Sequence, residues 1–171
     1  MEFGLKYFLC PPDGRPVVQE FSYAGALTVN SWFVLFAAGI PLKTALVIRR
    51  VKALGIDQTI EHDYTMLGNK VSILIHEGPP TVAANKRLTS TAFREASRII
   101  WPVPMSRDLA FNTGEPPYND WEGPLVIGAD DNRYVVIALR TAGAAVGFRY
   151  ACANVDSWYI PDPENTWKGN L

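Results

Sequence analysis

The chain has 171 residues, 48% of them hydrophobic and 19% charged, with a formal net charge of −1. That length suits one domain with a real core, because a domain of about 150 residues buries roughly 70% of its unfolded-chain surface. The near-neutral balance excludes the strong basic excess of a domain built to grip phosphate backbones, and the low charged fraction points to apolar surface covered by a partner.

The N-terminus, Met1-Glu2-Phe3-Gly4, lacks the basic region and apolar core of a signal peptide. The most apolar run, Trp32 to Leu42, falls well short of the roughly 20 residues of a membrane span. A cytoplasmic location, or assembly into a particle made in the cytoplasm, is the expectation. Two cysteines, Cys10 and Cys152, are too few for a disulfide-stapled scaffold. They read as small buried apolar residues, with pairing between them left open.

Residues 3–10 and 17–23 are apolar and aromatic, and Pro11-Pro12-Asp13-Gly14-Arg15-Pro16 between them is turn chemistry, so an opening β-hairpin is expected. Asn30 or Ser31 can cap a helix through Trp32–Ala38 that Gly39 ends. Pro41 can open a second helix, running to about Leu54 with Gly55 as its stop. Thr44, Val47, Ile48, Val51 and Leu54 would share one face of it, with Lys43, Arg49, Arg50 and Lys52 elsewhere.

Residues 58–67 and 70–77 read as a hairpin about Gly68-Asn69. That register places Ile60, His62, Tyr64 and Met66 with Val71, Ile73, Ile75 and Glu77 on the core face. Glu61, Asp63 and Thr65 fall with Ser72, Leu74 and His76 on the other. Gly78-Pro79-Pro80 breaks the chain, and a third helix is expected from about Ser90 to Ile100, with Phe93, Ala96, Ile99 and Ile100 as its inner stripe. Residues 102–123 have no clear periodicity, and a loop of that length is usually functional or interfacial.

Three strands, 124–129, 133–140 and 145–152, follow with short turns between them. The expected fold is α+β: antiparallel β-hairpins and a C-terminal three-stranded meander packed against about three helices. It comprises one domain over residues 1–152 and an irregular C-terminal arm over 153–171.

Candidate chemistry is sparse. Glu61, Asp63 and His76 could converge as ligands of a divalent metal, against the plainer reading of a charge-decorated sheet face. His62 lies diagonal to Glu77, and a buried imidazole–carboxylate pair could act as an acid–base dyad or line a ligand pocket. The plainer reading is a core histidine satisfied by one carboxylate. His76-Glu77-Gly78-Pro79-Pro80 lacks the second histidine of a zinc-protease helix. The sequence holds no nucleophile elbow, phosphate loop or dinucleotide fingerprint, and Asp130-Asp131-Asn132 is better a tight turn than a cation loop. Lys43, Arg49, Arg50 and Lys52 read as a solvated face before a nucleic-acid contact. No cofactor is implied.

The aromatic residues of the long loop and tail, Phe111, Tyr118, Trp121, Trp158, Tyr159 and Trp167, either tuck back on their own domain or anchor a partner. A structural or assembly protein follows, acting through protein–protein interfaces by self-association or within a larger assembly. A virion or phage particle subunit of head, neck or tail type fits that profile. The alternatives are a small enzyme or ligand-binding protein using a His62/Glu77 pocket, and an immunity or defence-inhibitor protein that blocks a partner. Enzymatic activity is left open, with the balance against it.

Overall fold

Stretches dense in aromatic and β-branched residues favour extended backbone, where such side chains pack without losing rotamer freedom to a helical turn. The computed structural model describes residues 25–26, 30–57, 70–100, 118–129, 132–140 and 147–168. Among these the elements are β1 (Gly25–Ala26), β2 (Trp32–Gly39), β3 (Thr44–Asp57), β4 (Lys70–Glu77), β5 (Phe93–Ile100), β6 (Tyr118–Gly128), β7 (Arg133–Arg140) and β8 (Gly147–Pro161). The α+β expectation is corrected to all-β. The three expected helices are strands β2, β3 and β5, and no described residue is helical. The opening hairpin over residues 3–23 lies outside the described residues.

The helical reading failed for a common reason. Each of the three strands carries a β-bulge, which places one extra residue in the strand and shifts the alternation by one. In β2 the shift falls between Val34 and Phe36, so Leu35 and Phe36 are both buried in succession. In β3 it falls between Ile48 and Arg50. Leu46, Ile48 and Val51 then point into the same core, a spacing that resembles a helical stripe. In β5 Ala96 is the extra residue opposite the Ile73–Leu74 step of β4.

The strands form two antiparallel four-stranded sheets, ordered β1-β8-β3-β6 (sheet A) and β2-β7-β4-β5 (sheet B). The expected C-terminal meander is also corrected. β6 and β8 both flank β3 in sheet A, whereas β7 sits between β2 and β4 in sheet B. A link of a few residues can reverse a strand beside itself or carry it to a facing sheet about 10 Å away, since each residue spans up to about 3.3–3.6 Å. Turn composition does not separate the two. β4 has β5 on one side and β7 on the other, and residues 58–67, the other arm of the expected hairpin, lie outside the described residues. The strand expected over 145–152 runs on to Pro161, absorbing the first part of the expected arm.

Alternation between sheets, with only β4 and β5 consecutive in one sheet, gives the strand order of a double-sheet jelly roll. The core lies between the sheets. Sheet B contributes Phe33, Phe36, Val71, Ile73, Ile75, Val135, Ile137 and Leu139, and sheet A contributes Leu46, Ile48, Val51, Ile127, Ala153 and Val155. The expected core face of 71, 73 and 75 is observed. Each large aliphatic or aromatic side chain fully buried there stabilises by about 1.5–3 kcal/mol.

Two irregular segments close the outer faces. On sheet A, the turn at 162–168 seats Trp167 against Ala45, Val47, Val126 and Trp158. The buried Asp162 carboxylate holds that turn by accepting the Thr166 amide at 2.7 Å and the Trp167 amide at 3.1 Å. On sheet B, the β4–β5 connection folds back as a strap. Its residues 82 and 88 bridge each other, Leu88 packs over Leu74, Val136 and Ala138, and Val34 N–H donates to Lys86 O while Leu88 N–H donates to Trp32 O. The strap therefore covers the otherwise open edge of β2, a protection that edge strands need against unwanted pairing.

Candidate functional site

The polar chemistry of the described residues gathers on the outer face of sheet B. His76 is the fourth outward residue of β4, after Lys70, Ser72 and Leu74, and its cross-strand neighbours are Phe93 and Tyr134. It is 2% exposed. Nδ1 lies 2.8 Å from Gly78 O and Nε2 lies 2.6 Å from Ser90 Oγ. A carbonyl oxygen can only accept, so Nδ1 carries a proton and donates it to Gly78 O. Ser90 Oγ also accepts the Thr81 amide at 3.3 Å, and the imidazole stacks on Phe93 at 6.4 Å. Gly78 takes φ of +80°, which lets its carbonyl turn back on the ring and ends β4 where the Gly-Pro-Pro run predicts. A hydroxyl within hydrogen-bond distance of an imidazole is the geometry of an activated nucleophile. Here both of its partners tie the strap to the sheet beneath it.

Beside this pair lies a second network. Glu95 accepts from Lys70 Nζ at 2.7 Å and from Ser72 Oγ at 2.7 Å. The Lys70 ammonium is 5.3 Å from the Trp32 ring centroid, and the Arg140 guanidinium is 5.8 Å from it. Trp32 meets Phe93 edge-on at 6.0 Å. Two cations on one indole, anchored by a carboxylate between strands, form a rigid surface of mixed aromatic and charged character. At the end of the sheet, Glu77, Arg94 and Arg133 border a cavity of about 260 Å³.

The sequence-derived candidates fall in several places. His62, Glu61, Asp63, Phe111 and Cys10 lie outside the described residues. Glu77 lines the cavity just described. Tyr118 and Cys152 lie on β6 and β8. Trp121 is half-buried against the main core. Trp158 is 1% exposed, in its own chain's sheet A cluster with Trp167. Tyr159 is half-buried against the main core, and its hydroxyl donates to Gly39 O at 2.6 Å. Burial raises the Tyr159 phenol above its ordinary value, and the neighbouring Tyr134 adds to the rise. The aromatic side chains described here on sheet A thus pack within their own subunit.

The basic group is partly neutralised: Arg49 pairs with Asp156, and Arg50 lies 3.5 Å from Glu122. Among the described residues no cluster of metal-ligating side chains occurs. The sequence reading missed Ser90, Trp32 and Arg140. Ser90 reaches His76 across 14 positions of chain, and no periodicity marks a contact made by a strap folding back.

No family model matches the sequence, and no curated protein matches it. Among solved structures, infectious bursal disease virus VP2 in a subviral particle is similar, with 13% identity and a TM-score of 0.43 over 94% of this chain and 35% of that one. The Gx strain of the same virus gives 12% identity and a TM-score of 0.43 over 90% and 33%. The chain spans about a third of the length of those chains. The resemblance to a virion structural protein is coarse.

Proposed function

We propose that the chain is a structural subunit of a protein particle, of the virion type, that works through its surfaces. The observation that carries this reading is the jelly-roll strand order around an interior filled from both sheets by apolar side chains. Jelly rolls serve as capsid, lectin and cupin-type domains. Leu46, Ile48, Ile73 and Ile137, all 0% exposed, occupy the space where a barrel used for ligand chemistry would hold its cavity. The reading rests in part on fold-level analogy. Two surface features support it independently. Leu42, at the tip of the β2–β3 turn, is 73% exposed, an apolar side chain offered on a tight turn. The Trp32 surface pairs an aromatic ring with arginine, the residue types that anchor interfaces.

The test is mass in solution across a concentration series. Sedimentation and light scattering of the whole chain are expected to show assemblies well above the 18.9 kDa of one copy. Replacement of Leu42 by Asp is expected to shift the series toward the single copy without lowering the unfolding midpoint. A chain that stays single up to millimolar concentration overturns the proposal.

A further inference from the structure

One end of the sandwich carries exposed apolar residues that the core does not use. The β2–β3 turn, Pro41-Leu42-Lys43-Thr44, is closed by the Thr44 amide at 3.2 Å and the Thr44 hydroxyl at 2.6 Å, both donating to Pro41 O. Lys43 takes φ of +60° to complete it. The tail turn over 161–165 is fastened beside it. Thr44 is in register with Pro161, and the Asp162 amide donates to Lys43 O at 2.8 Å. The Asn165 amide donates to Asp162 O at 3.1 Å, and the buried Asp162 carboxylate holds the far side of this turn through the Thr166 and Trp167 amides. Two hydrogen-bonded turns thus form one knob. Pro41, Leu42, Pro161 and Pro163 on it are all exposed, and Leu42 is the most exposed large hydrophobic residue among those described. Prolines and closed turns lose little freedom on binding, so the knob docks without reordering. The same two turns present one exposed cation, Lys43, and one exposed anion, Glu164. Among the described residues, neither the Lys43 ammonium nor the Glu164 carboxylate has a hydrogen-bond or ion-pair partner.

We infer that this knob is a two-fold contact between copies of the chain. The inference rests on the assembly proposed above and names one of its surfaces. The charge pattern selects the occupant. A patch with a cation on one turn and an anion on the other complements itself under a two-fold rotation, so Lys43 of each copy meets Glu164 of the other. A purely acidic or purely basic partner would satisfy one of these charges and repel the other. Leu42 and the prolines fill the centre, where loss of water strengthens the flanking pairs. Exposed apolar patches rimmed by polar groups mark interaction sites. The two turns supply fewer residues than the roughly 20–30 a side of a standard interface, so the contact is weak by itself and is read at high protein concentration.

Charge reversal followed by sedimentation of the whole chain tests this, at low ionic strength where exposed pairs are least screened. Lys43→Glu and Glu164→Lys are each expected to weaken self-association about tenfold, because symmetry turns one substitution into two like-charge contacts. Both side chains are exposed, so the unfolding midpoints are expected to stay at the wild-type value. Mixed one to one, the two variants are expected to recover the wild-type mass, since two acids on one copy then face two bases on the other. The double variant is expected to recover it alone. Neither recovery follows from damage to the fold. An assembled wild type whose mass neither reversal lowers, or a lowered mass that mixing does not restore, overturns the inference and leaves the assembly reading standing. A wild-type chain that stays single up to millimolar concentration overturns both.

Discussion

The two outer faces of this jelly roll are closed in different ways. On sheet A the chain seals itself with its own tail: Trp158, Ala45, Val47 and Val126 lie under Trp167, and Asp162 locks the covering turn by its paired backbone hydrogen bonds. The patch under Trp167 is apolar, and the Arg49–Asp156 and Arg50–Glu122 pairs lie elsewhere on the same sheet. On sheet B the strap covers Leu74, Val136 and Ala138, yet it is held by polar contacts from His76 through Ser90, and it leaves Trp32, Lys70 and Arg140 as a charged aromatic surface. The first arrangement draws on hydrophobic burial, which is non-directional and proportional to area. The second draws on hydrogen bonds, whose net contribution is about 0.5–1.5 kcal/mol each but whose geometry is specific. The covered patch of sheet A is therefore held chiefly by burial, and the strap of sheet B by directional hydrogen bonds.

That contrast can be broken in order of effect. Trp158→Ala should cost the most, about 3–5 kcal/mol of unfolding free energy in a urea titration, while the NMR signals of His76 and Ser90 stay in place. Gly128→Ala comes next. A β-carbon at Gly128 would fall 2.3 Å from the Trp167 carbonyl carbon, so the tail must shift, at an overpacking cost of about 1–3 kcal/mol. Faster hydrogen exchange at Thr166 and Trp167 is the accompanying sign. Ser90→Ala should cost about 1 kcal/mol. Its faster exchange should be confined to strap amides such as Thr81 and Thr89, with sheet A unchanged.

The smallest effect is on the pH profile. Tyr159 is raised in the folded state, so the native chain keeps its phenolic proton where the unfolded chain loses it. Stability contributed by that group is complete below pH 10 and declines as pH rises above it. Tyr159→Phe should remove this decline from the alkaline unfolding profile while giving up the bond to Gly39 O.

Much of the chain was legible before folding. Strand β4 was placed at 70–77 with its inward face at Val71, Ile73 and Ile75, because the Gly78-Pro79-Pro80 break marks its end and β-branched residues recur at every second position with no bulge between them. β7 was legible from the turn residues bounding its β-branched run, although Val135 to Leu139 are buried on both faces. Strands β2, β3 and β5 were not, since a bulge inside each turned a period of two into a spacing that imitates a helix. In β3 burial on both faces compounded this: Ala45, Leu46, Val47 and Ile48 are all 0% exposed, and such a run carries no alternation to read. For the site, His76 and Glu77 were marked by their chemistry alone. The described partners of His76 come from Gly78 and Ser90, and Arg133 stands across from Glu77 on a strand expected to lie in a separate meander.

By itself the sequence determined a domain with an ample apolar core, antiparallel pairing, the turn at Gly78-Pro79-Pro80, and the inner face of β4. Those features follow from composition and from contacts close along the chain. Tertiary structure alone decided which sheet each strand joins, where the bulges fall, and which side chains meet on the outer faces. Such choices depend on contacts between distant segments, where a crossing of about 10 Å to the opposite sheet and a simple reversal use the same turn residues.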